Sequence, residues 1–115
     1  MNTHVAGIKG EDLAVSYLKK HKIQVLQRNF SCLFGEIDIV AKDGKFIVFA
    51  EVKMRSSDEF GLPREAVNPQ KQRTIVVCSK LWLSQNKLMG KPVRYDVIEV
   101  YNEQVVLLKD AFRPE

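Results

Sequence analysis

A chain of 115 residues, 45% hydrophobic and 28% charged, has the length of one domain (residues 1–115) and enough apolar side chains for a core without disulfide or metal staples. Its net charge of +4 permits a polyanionic partner without requiring one, and no run approaches the ~18 apolar residues of a membrane span. Two histidines, His4 and His21, argue against a His-rich zinc site or a Ser-His-Asp triad, so any metal chemistry must rest on carboxylates.

In chain order, residues 5–21 predict a helix, with Ile8, Leu13, Ala14, Tyr17 and Leu18 recurring near a 3.6-residue period. Lys9, Glu11 and Asp12 interrupt what would have to be the apolar core of a signal peptide, so a cytoplasmic protein is expected. Residues 23–30 predict a first strand. The stretch GEIDIVAKDGKFIVFAEVK predicts a hairpin of strands at 35–42 and 45–53 around Asp43-Gly44. Residues 54–67, with Gly61 and Pro63, read mostly as a loop, of which 54–64 is expected to order around DNA. Asn68-Pro69 is a strong helix start, and Gly90 marks the expected stop. VRYDVIEV and QVVLL alternate as two strands around Asn102-Glu103. The order α-β-β-β-α-β-β predicts an α/β fold, a mixed central sheet flanked by helices. Cys32 and Cys78 lack metal-ligand spacing and read as two free thiols, Cys78 as a small core residue.

The hairpin raises the functional question, because Asp38, Glu51 and Lys53 interrupt its apolar runs and burying unpaired charge is costly. With Asp43-Gly44 as a type I′ turn, Lys42 pairs with Lys45, Asp38 with Phe49 and Glu36 with Glu51. Asp38, Glu51 and Lys53 then share one face, and Asp38 and Glu51 are diagonal neighbours about 7–8 Å apart that can converge on one cation. A divalent ion, or in part Lys53, would relieve the repulsion of Glu36 against Glu51. In the first helix Glu11 lies at the edge of the apolar stripe, flanked by Gly7 and Gly10, residues that allow close approach to the sheet at a cost in helix stability. Three carboxylates, Glu11, Asp38 and Glu51, make an oxygen-rich set suited to Mg²⁺ or Mn²⁺ rather than zinc.

Basic residues read two ways. Lys71 in the first turn of the second helix fits a phosphate contact or a solvated lysine. Arg28-Asn29 fits a phosphate contact or a turn; Arg55 and Arg64 fit a clamp on a nucleic-acid backbone or a solvated loop. Asp96 reads as structural, pairing with Arg94 or a lysine, and Trp82, Leu83, Phe46 and Phe49 read as core rather than base-stacking platforms.

Glu11 in KGEDLAVSYL, Asp38 in GEIDIV and Glu51-Val52-Lys53 in FAEVK resemble the PD-(D/E)XK nuclease signature. Together with Arg28-Asn29, Phe60-Gly61, Pro63, Ala66-Val67, Lys71 and Tyr95-Asp96-Val97 they are similar, over nearly the whole chain, to the YraN-like family, distantly related to archaeal Holliday junction resolvases. Ile37 stands where the signature has proline. The resemblance implies a restriction endonuclease-like fold, also seen in transfer-RNA splicing endonucleases. It further implies Glu11, Asp38 and Glu51 as catalytic, metal-binding positions and Lys53 as a catalytic lysine. Arg28, Arg55 and Lys71 are candidates for contacts to the phosphate backbone. The function expected is metal-dependent hydrolysis of DNA phosphodiesters, branched DNA being the suited substrate and a homodimer the suited assembly. The alternatives are a nucleic-acid-binding module with weak or no catalysis, and an interaction protein with a vestigial pocket.

Overall fold

A computed structural model describes residues 3–56 and 67–114, with side chains from Lys9 onward. The elements are α1 (Thr3–Lys20), β1 (Gln24–Cys32), β2 (Gly35–Asp43), β3 (Phe46–Met54), α2 (Pro69–Gln85), β4 (Val93–Tyr101) and β5 (Gln104–Phe112). This is the expected order and the expected restriction endonuclease-like α/β architecture. Residues 57–66, which include Phe60-Gly61, Pro63, Arg64 and Ala66 of the expected loop, lie outside the described residues. No helix among the described residues is long and apolar enough to cross a membrane.

The five strands lie in the order β1-β2-β3-β4-β5, antiparallel except for β3 and β4, which are parallel. A parallel pair needs a crossover, and α2 supplies it. Alternation along β3, and along β2 from Ile39 to Ala41, then builds two cores, with Ile37 joining Val40 on the α2 side. Val40, Ile47 and Phe49 face Ile75, Cys78, Trp82 and Leu83 of α2. Ile39, Ala41, Val48 and Ala50 face Ala14, Val15 and Leu18 of α1. Trp82 is buried with its ring edge against Phe49 and its Nε1–H donated to Gln27 Oε1 at 2.8 Å, a core tryptophan as expected.

The hairpin register differs from expectation. The loop has two residues, but they are Gly44-Lys45, with Asp43 opposite Phe46 and Val40 opposite Phe49. Gly44 takes φ 57° while Lys45 keeps a negative φ, the pattern of a II′ turn rather than I′. The pairing of Asp38 with Phe49 and of Glu36 with Glu51 is therefore corrected. A two-residue slip preserves faces, however, because side chains alternate with period two. The second helix also ends earlier than Gly90. Lys87 takes φ 57°, and Leu88 N–H bonds to Leu83 O at 2.8 Å, so a Schellman motif closes α2 with lysine in the position glycine usually fills. At its start Asn68 Oδ1 accepts from Lys71 N–H at 2.8 Å, with Pro69 in the first turn. Asn102 and Glu103 both have positive φ and form the expected β4–β5 turn.

Candidate metal and phosphate site

The β2–β3 ladder ends at Ile39 opposite Ala50, yet β2 stays paired to β1 back to Gly35 and β3 to β4 out to Met54. The two strands thus part at the point where Asp38 and Glu51 come next. Continuing the register sets Asp38 opposite Glu51, not diagonal to it as expected. A backbone donor bridges the gap: Val52 N–H bonds to Asp38 Oδ2 at 2.8 Å. Glu51 and Lys53 continue the α2-facing side of Ile47 and Phe49, and Lys71 from the first turn of α2 reaches Glu51 Oε1 at 3.8 Å.

Electrostatics mark this pair as undercompensated. Burial, the neighbouring Asp38 charge and Glu36 push the Glu51 carboxyl up to about 7, against the pull of Lys71 and Lys53. Burial also raises Asp38, with Glu11 and Glu36 adding to it, while the Val52 amide and Lys71 pull it down. Glu51 Oε2 is buried with no hydrogen-bond partner among the described residues. A buried carboxylate oxygen without a donor, beside a second carboxylate, is the arrangement a divalent cation satisfies.

Glu11 is near enough to repel Asp38 but is turned elsewhere. Its Oε1 accepts from Arg28 Nε at 3.1 Å and from Asn29 Nδ2 at 3.0 Å, and Arg28 also holds Asp12 at 2.6 Å. Asn29 reaches Glu11 from a left-handed conformation, φ 55°. Arg28-Asn29 thus fixes an acid within the fold. No group of three His, Cys, Asp or Glu among the described residues is arranged to hold a metal. Asp38 and Glu51 nonetheless fit Mg²⁺ or Mn²⁺, because such an ion keeps several waters and needs only one or two carboxylates.

Two features escaped the sequence. Glu99 on β4 is 0% exposed and pairs with Arg55, which follows β3 on the same face, so Arg55 is engaged inside the fold. Glu99 stands beside Lys53 in the parallel register, and an Arg one alternation beyond Lys53 was the signal available. Leu33 and Phe34, in the turn between β1 and β2, are 94% and 62% exposed. That turn lies at the end of the sheet where Asp38 and Glu51 sit, three strand residues from Asp38. It packs on α2 so tightly that a Cβ on Gly35 would lie 2.5 Å from Thr74 Cγ2. On the other side Gly10 of α1 lies under the flexible side chain of Met54, whose Sδ a Cβ there would meet at 2.0 Å. Asp96 is structural: Arg94 grips both its oxygens at 2.9 Å and the Asp110 N–H caps one at 2.9 Å.

The model of an uncharacterised protein family, UPF0102, matches residues 10–100, which spans both helices and both carboxylate strands. The chain belongs to this family. A UPF0102 protein of Geobacter metallireducens is 50% identical over 94 residues, covering 82% of this chain and 77% of its own. One of Lachnoclostridium phytofermentans is 43% identical over 113 residues, covering 97% and 96%. One of Clostridium perfringens is 44% identical over 113 residues, covering 93% of each. UPF0102 is the YraN-like family the sequence resembles, and its description assigns no activity.

Proposed function

We propose that this protein is a cytoplasmic, divalent-metal-dependent endonuclease that hydrolyses phosphodiester bonds in branched DNA. The observation that carries the reading is Glu51 Oε2, buried without a donor opposite Asp38. Asp38 and Glu51 would hold Mg²⁺ or Mn²⁺. Bound there, such an ion supplies Lewis acidity, which makes water a stronger nucleophile and offsets charge on the phosphoryl oxygens. Glu11 adds negative potential from outside that pair, fixed in orientation by Arg28 and Asn29.

The chain's own residues supply the rest. The Val52 amide fixes the Asp38 carboxylate, so the ligand pair is oriented before substrate arrives. Lys53 is exposed on the same strand face as Glu51, and in this reading it orients the attacking water or offsets developing charge. Lys71 sits at the first turn of α2 beside Glu51, where its ammonium would favour a phosphate. Leu33 and Phe34 support the branched substrate. An exposed apolar pair at the carboxylates' end of the sheet can wedge between bases, and unstacking costs least where a duplex is already interrupted. The two-fold character of such a substrate suits a homodimer.

Incubating purified protein with four-way, flapped and duplex DNA in Mg²⁺ or Mn²⁺ tests the reading, with Glu51→Ala as the control. Cleavage by wild type alone is expected; equal cleavage by both would assign the activity to a contaminant. One observation favours a binding module without catalysis: Glu11 is committed to Arg28 and Asn29. Salt-dependent DNA binding that survives Glu51→Ala, with no cleavage by either protein, would establish that alternative.

A further inference from the structure

Outside the carboxylate site the fold brings two thiols into contact. Cys32 ends β1, Cys78 lies in α2, and their Sγ atoms are 2.7 Å apart although 46 residues separate them in sequence. An S–S bond is about 2.05 Å, so closure requires a movement well under the length of a bond. The two differ in setting. Cys78 is 0% exposed, whereas Cys32 is partly exposed at the mouth of the β1–β2 turn. Contact with Cys78 lowers the Cys32 thiol, helped by hydrogen bonds from the backbone of Phe34 and Gly35, while burial pushes Cys78 up to about 12. One sulfur is thus accessible and inclined to be a thiolate; the other is sheltered and placed to resolve.

We propose that Cys32 and Cys78 form an oxidation site at which hydroperoxides convert a dithiol into an intrachain disulfide. Cys32 thiolate attacks the distal oxygen of the peroxide. The O–O bond breaks, Cys32 becomes a sulfenic acid, and the alkoxide or hydroxide leaves, taking from solvent the proton that Cys32 gave up on ionising. Cys78 sulfur then attacks the sulfenic sulfur; the S–S bond forms, the S–O bond breaks, and the departing hydroxide takes the Cys78 proton as water. Two electrons pass from the thiols to the peroxide. Thiol reductants of a reducing compartment return the pair to its starting state, so the change is reversible there. The bond would pin the Leu33-Phe34 turn to the helix that carries Lys71, but the chemistry itself does not depend on nuclease activity.

The test uses the full chain, reduced, desalted and treated with hydrogen peroxide. Both thiols should disappear from titration with a loss of two hydrogens in mass, and the melting temperature should rise by on the order of 10 °C, reversed by dithiothreitol. Cys78→Ala, which keeps the buried position apolar, should stop at a Cys32 sulfenic acid trapped by dimedone. Cys32→Ser should leave Cys78 unreactive. Two thiols still titratable after peroxide, or a disulfide linking separate chains on a non-reducing gel, would overturn the proposal.

Discussion

Val52 donates its backbone N–H to Asp38 Oδ2 at 2.8 Å, tying β3 to β2 one step beyond the end of their ladder. A side chain replaces a strand–strand bond there, so the carboxylate is both a structural cap and half of the proposed cation site. Asp38→Asn can keep the bond through its amide oxygen while removing charge opposite Glu51. It should be neutral or stabilising by up to about 1 kcal/mol at pH 8 in denaturant unfolding without metal. The same substitution should abolish cleavage.

Glu51 gives a pH dependence with a definite sign. Its ordinary value is 4.5, and burial with Asp38 raises it to about 7 in the folded chain. Between those values the unfolded chain has lost the proton and the folded chain keeps it, so stability falls as pH rises. The loss through this window is on the order of 3 kcal/mol. Comparing wild type with Glu51→Gln between about pH 4 and pH 8 should show wild type losing this much relative to the variant. Saturating Mg²⁺ at pH 8 should restore wild type and not the variant.

Arg55 answers a buried charge rather than a solvent-facing loop. Its side chain is 23% exposed and pairs with Glu99, 0% exposed. Arg55→Met leaves that carboxylate without its guanidinium and should cost about 3 kcal/mol in denaturant unfolding. Adding Glu99→Gln to the same chain should recover part of the loss, a coupling a double-mutant cycle reads directly.

Phe34 separates recognition from stability. It is 62% exposed, so Phe34→Ala should change unfolding by less than about 0.5 kcal/mol. Affinity for branched DNA should drop several-fold in a fluorescence binding assay while affinity for plain duplex stays unchanged. Equal losses on both substrates would assign the turn a general role in binding.

Local signals carried most of the fold into the sequence. Asn68-Pro69, Asn102-Glu103 and the apolar alternation of the strands are short-range features, and the helices and strands follow from them. The slip to Gly44-Lys45 was invisible because Asp-Gly and Gly-Lys turns both suit the same stretch. Because the slip was two residues, the facing of the laddered positions was unchanged, and Asp38 comes opposite Glu51 rather than diagonal to it. Lys87 in a left-handed conformation hid the end of α2, since that position is usually glycine. Pairings across the fold were out of reach. Glu11 with Arg28, Arg55 with Glu99 and Cys32 with Cys78 depend on how strands and helices stack, which periodicity does not encode.

The central claim is that Asp38 and Glu51 hold a divalent cation. Titration of Mn²⁺ into metal-free protein at pH 8, followed by electron paramagnetic resonance, tests it most directly. Wild type should bind Mn²⁺ at a site that Glu51→Gln loses while remaining folded. Mn²⁺ binding of equal strength in wild type and in Glu51→Gln would contradict it.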